Sequence, residues 1–169
     1  MLVEAVAAIL DRDLQTLGRE VEAYPDDDAL WQLPEGAPNS AGTLVLHLTG
    51  NLQHFFGARL GGTGYVRDRP AEFSARGVSR AALLGQIEAA RGAVRAAAKQ
   101  IDAAAVQQDF PEIVGGFRVT TGEYLIHLVS HFTYHLGQVD YHRRLVTRDR
   151  RGVDALRVAE LSSARPAPD

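Results

Sequence analysis

Apolar residues fall at Val3, Val6, Ala7, Leu10, Leu14, Leu17 and Val21, with polar residues between them. Steps of three and four residues mark one face of a helix, so the pattern predicts a first helix from Leu2 to Tyr24. Pro25 and the acidic run Asp26–Asp28 stop it. Residues 25–39 read as a loop carrying Pro34, Gly36 and Pro38, with Trp31 as its plug onto the core. Ser40 and Thr43 are candidate caps for a second helix over about 41–60, ended by Gly61, Gly62 and Gly64. A long connection runs on to about Gly77. Ser79 then caps an alanine-rich third helix over about 80–104. In residues 108–119 a Gly-Gly pair stands between β-favouring residues, which predicts a short hairpin or an ordered loop. Thr120 or Thr121 opens a fourth helix over about 121–147. Past Thr147 the chain is charged, with a short helix at about 152–162 before a Pro-rich end that frays.

Four long helices with no repeat period and no linker predict an all-α four-helix bundle over residues 1–150, with 151–169 as a charged tail. The connection between the second and third helices is long enough for a crossover. A chain of 169 residues buries a core of its own without disulfides. It has no cysteine, so no thiolate can attack or ligate, and any metal must be held by imidazole or carboxylate. That absence also fits the cytoplasm. The net charge of −3 gives no footprint for a polyanion, which argues against nucleic acid as a partner. The N-terminus carries acids early and has no basic stretch of the kind a secretion signal needs. No apolar run approaches the roughly 20 residues of a membrane span, so we expect no membrane partner.

The histidines change the picture. All six lie in two of the expected helices: His47 and His54 in the second, His127, His131, His135 and His142 in the fourth. At about 100° per residue, His131, His135, Gln138 and His142 fall at about 40°, 80°, 20° and 60° from His127. They form one narrow polar stripe beside Leu128, Phe132 and Val139. Buried polarity has to be satisfied. Two histidines four apart project the same way and can share one ion at nitrogen–metal distances of about 2.0–2.1 Å. A third ligand from a neighbouring helix completes a facial set, and three protein ligands leave positions open, as catalytic sites do. Spacing alone permits His127 with His131 as readily as His131 with His135.

The run LVLHLTGNLQHFFGARL, followed by HLVSHFTYHLGQVDYHRRL, resembles the DinB/YfiT-like superfamily over nearly the whole chain. The resemblance implies a four-helix bundle, often dimeric, with a divalent metal at one end. By motif the implied ligands are His47, His131 and His135, the last two preceding Gly137-Gln138. It further implies a metal-dependent hydrolase or thiol S-transferase acting on a small molecule, some relatives using a low-molecular-weight thiol such as mycothiol or bacillithiol. Zinc or nickel heads the metals, and three imidazoles also suit iron or manganese. The rival readings are a stress-related metal-binding protein without turnover, and a dimeric bundle whose histidines are only polar core.

Around that set, His127, Asn51 and Gln138 read as residues of the pocket or ones hydrogen-bonded to a ligand. Asn51 faces the same side as His47, either to orient water or to bond across helices. His54 reads as an interface residue. Gly137 reads as room for close helix approach, and Gln138 as a bond to a neighbouring helix. Glu112 and Glu123 are candidate general acids or bases. Tyr141 and His142 would cap the far end of the core, and the arginines near 143–151 suit a helix C-terminus.

Overall fold

A computed structural model describes residues 2–167. Its α-helical segments are α1 (Leu2–Glu22), α2 (Ala41–Leu52), α3 (Arg59–Gly61), α4 (Arg69–Ser74), α5 (Arg80–Ala98) and α6 (Thr121–Thr147). Between α2 and α3 the helix does not break but loosens into a π-helical stretch, Gln53–Ala58. The four long helices of the bundle are therefore α1, the α2–α3 rod, α5 and α6. No helix among the described residues is long and apolar enough to cross a membrane.

Three of the long helices have chemically marked starts. Ser40, Ser79 and Thr120 accept hydrogen bonds from the backbone N–H groups of Thr43, Ala82 and Glu123. These satisfy donors that a helix start leaves free. The rod stops at Gly62, whose φ of +62° is left-handed and costs an alanine more than a glycine. The third long helix ends at Ala98, short of the expected 104. Beyond it the Asp102 carboxylate accepts from the N–H of Ala105 at 2.8 Å and starts a separate turn. Gly115 and Gly116, both at positive φ, close a small hairpin. Val114 and Phe117 exchange backbone bonds of 3.0 and 2.9 Å across it. The tail holds one 3-10 turn, Val158–Glu160, where a helix at about 152–162 was expected. Residues 168 and 169 of the end expected to fray lie outside the described residues.

Contacts between elements fix the chain directions. Along α1 and α6 the partners advance together: Leu2 lies by Gly122, Asp13 by Thr133 and Glu20 by Arg143. Those two helices are parallel. Against α5 the order reverses, since Asp11 pairs with Arg91 and Arg95 while Tyr24 carbonyl accepts from Arg80. The rod runs parallel to α5, with Gly57 against Ala93 and Gly61 against Ala97. It runs antiparallel to α6, with His47 by His131 and Phe55 by Tyr124. The order is up-down-down-up. Two successive helices pointing the same way need a return path along the bundle, and the crossover of residues 62–79, carrying α4, supplies it.

Leu10, Leu14, Leu17, Val21, Leu48, Leu52, Leu83, Phe132 and Val139 are wholly enclosed between the helices. Each such side chain contributes about 1.5–3 kcal/mol. Trp31 does plug its loop: the ring lies where a methyl at Gly42 would sit, 2.6 Å away, and its indole N–H donates to Val78 carbonyl. His142 ties the same loop down. Its Nδ1 accepts from the Tyr24 hydroxyl at 2.7 Å and its Nε2 donates to Gln32 carbonyl at 2.8 Å.

Gly137 departs from its reading. It is exposed, and an added Cβ would meet nothing within 4 Å, so it gives no helix among the described residues a closer approach. Gly137→Ala should therefore stabilise α6 by about 0.5–1 kcal/mol. A urea midpoint that falls instead would mean that another surface needs the glycine.

Candidate metal centre

Three helical turns bring the site together. His47 projects from the middle of α2, and His131 and His135 from successive turns of α6 where it crosses α2. Their ligand atoms, one nitrogen from each, all lie within 4.8 Å of one another. His47 Nε2 is 3.2 Å from His131 Nε2, and the rings of His131 and His135 stand edge to face at 4.7 Å. Neutral imidazoles at that spacing present lone pairs to a common point, so the cluster could hold a metal ion. The second and fourth long helices are adjacent, as the sequence reading requires.

The outer nitrogens are tied back. His135 Nδ1 donates to Gln138 Oε1 at 2.7 Å, within the same helix rather than across to a neighbour. His47 Nδ1 lies 3.1 Å from Glu72 Oε2. Glu72 in turn takes two bonds from Arg67, of 2.7 and 2.8 Å. Burial alone would push the Glu72 carboxyl up, but Arg67 and His47 together hold it below the ordinary carboxylate range. Phe73 and Arg69 complete this wall, the guanidinium lying over the phenyl ring.

Burial and the neighbouring His135, His47 and His127 lower the His131 pKa to about 4. Burial lowers His135 and His142 as well. The unfolded chain binds these protons near pH 6.5, where the native protein refuses them. The stability of the metal-free protein should thus be full above about 6.5 and fall as pH drops toward 4. Asp13 and Glu20, both raised by burial, act in the opposite sense, but they are two groups against three. Urea midpoints in chelator at pH 7.5 and 5 measure the balance, and a flat or rising midpoint on acidification would refute it.

The other expected residues scatter around the cluster. His127 is exposed, stacked on Tyr124 with its ring 6.1 Å from that of His131. It lines a cleft of about 340 Å³ with Val114, Phe117, Val119 and Glu123. His135 and Gln138 line a second cleft of about 340 Å³ together with Leu44, Tyr134 and Tyr141. Asn51 is buried, and its side-chain oxygen has no hydrogen-bond partner among the described residues. His54 turns away from the cluster to pair with Glu112, which also binds Arg59. Glu123 and Thr120 bond each other as a helix-capping pair.

Periodicity does not single out Glu72 and Arg67, because they lie in the connection between two long helices. A signal was present: Asp68-Arg-Pro-Ala-Glu72 has a capping aspartate, an early proline and an acid in the first turn, the marks of a helix start.

The architecture and the cluster define an all-α bundle with a three-histidine group suited to a metal ion. A family model for the DinB superfamily matches residues 9–139, and the chain belongs to that superfamily. Comparisons with curated proteins and with solved structures give no match.

Proposed function

We propose that the chain binds one divalent metal ion on His47, His131 and His135 and acts on a small molecule as a metal-dependent hydrolase or thiol S-transferase. The observation that carries this reading is the convergence of three imidazoles, two of them backed by acceptors on their far nitrogens. A divalent ion held there supplies a Lewis acid toward a substrate oxygen or thiol. The low pKa of His131 keeps that ring neutral and able to ligate at ordinary pH. Gln138 fixes the His135 ring with its outer nitrogen protonated, which leaves Nε2 for the ion. The cleft beside His127, walled by Val114, Phe117, Val119 and Tyr124, suits the apolar part of a substrate. Zinc or nickel fits this donor set best, and a low-molecular-weight thiol is the co-substrate we would test first.

We place residues 1–150 in the bundle and treat 151–169 as a tail strapped to α1, where Arg19 bonds Val153 carbonyl and Glu160. The location we propose is cytoplasmic. A homodimer is supported by the face of α6 that carries Ile126, Tyr134, Tyr141 and Leu145, all more than half exposed.

The test begins with metal content. Protein loaded and then dialysed should retain one ion per chain, and ester and thiol-transfer screens follow on that material. Failure to retain any metal sinks the reading. Retention with no turnover on any substrate class selects the binding protein without catalysis.

A further inference from the structure

Resting on the metal reading above, we propose that Glu72, lodged in a notch left by Gly50, is a positioning residue that holds His47 with its proton on Nδ1 and its lone pair on Nε2. Three observations meet here. Glu72 Oε2 is 3.1 Å from His47 Nδ1, with the two side chains buried at 6% and 8% exposure. Arg67 grips both carboxylate oxygens, which keeps the group charged and able only to accept. Gly50, one turn beyond His47 on α2, has no side chain, and a methyl there would collide with Glu72 Oε1. The glycine sits in a helix interior where alanine would add stability, so the vacancy has a use. It lets a carboxylate from the crossover reach the face of α2 that carries His47.

The direction of the bond follows from the atoms. A carboxylate accepts, so Nδ1 must donate, and the proton cannot also sit on Nε2 of a neutral ring. Arg67 Nη2 also lies 3.2 Å from Nδ1, and if it donated there the tautomer would be reversed. Its bond to Glu72 Oε2, at 2.8 Å, is shorter and joins opposite charges, so the guanidinium hydrogen belongs to the carboxylate. Nε2, the atom facing His131, is then free to ligate. The crossover thereby acts on the cluster without supplying a ligand.

Nitrogen NMR of the His47 ring in metal-free protein at pH 7.5 reads the tautomer directly, and zinc titration reads its consequence. In the native chain we expect the Nδ1–H form to dominate. Glu72→Gln and Gly50→Ala should each raise the Nε2–H form to a comparable population and weaken zinc binding by roughly 10–100-fold. Gly50→Ala placed on Glu72→Ala should weaken it no further, because the methyl then meets no carboxylate. Circular dichroism identifies any variant that has unfolded, and the native ring tautomer is read without any variant. A native ring in the Nε2–H form overturns the proposal, as do folded variants with unchanged tautomer and zinc affinity within about twofold. A native chain that binds no zinc while its tautomer follows Glu72 removes the metal reading and leaves the positioning role in place.

Discussion

Dialysed His131→Ala protein is expected to hold no stoichiometric zinc at pH 7.5, and dialysed native protein is expected to hold one ion per chain. His131 is the middle of the cluster: its ring approaches both His47 and His135. The two rings that remain cannot form a facial set. His135→Ala should give the same loss, and His47→Ala a large weakening. The other histidines provide the contrast. His54→Ala should keep its zinc, because that ring is engaged by Glu112. His142→Ala should also keep it and lose stability instead, by about 1–3 kcal/mol, since the Tyr24 hydroxyl and Gln32 carbonyl lose their shared partner. Exposed His127 should sit between, at up to about 10-fold in affinity. Zinc per chain, measured across the six variants, decides it. Retention in His131→Ala with loss in His54→Ala would mean the wrong nitrogens have been chosen.

The largest effect on stability is expected at Arg143. Its guanidinium and the Glu20 carboxylate are almost completely enclosed between α1 and α6, at 1% and 0% exposure. Alanine at 143 strands a buried charge, which costs about 3–5 kcal/mol. For a chain of this size that lowers Tm by roughly 6–20 °C. Arg143→Met with Glu20→Leu should recover most of the loss, because the double change leaves no charge to strand. A single variant that melts within about 2 °C of the native protein would show that Glu20 finds water or a proton at little cost.

The difference between these two sites is also a difference in what the sequence discloses. The histidine stripe of α6 is a matter of helical period, and α6 begins and ends where Thr120 and the charged segment after Thr147 suggest. The bundle was legible for the same reason, because α1 buries the apolar face its spacing displays. Glu20 and Arg143 were not legible as a pair. Each looks like a surface charge until the parallel packing of α1 and α6 brings them together, 123 residues apart. Glu72 was hidden similarly, since its value lies in what it touches across 25 residues. The π-helical stretch at Gln53–Ala58 follows from hydrogen bonding that no residue pattern announces. Gly137 shows the converse: a glycine in a helix invites a packing explanation that its open surroundings do not bear out.

The order of the helices sets when the histidine cluster can first exist. His47 and His131 meet across 84 residues, and the chain between them must complete the crossover and α5 before the gap closes. Closing so long a loop is entropically late, and contacts of this range slow folding compared with local ones. During synthesis the α1, α2 and α5 surfaces emerge while the groove meant for α6 lies open. A chain halted on the ribosome before residue 131 presents His47 alone from this cluster.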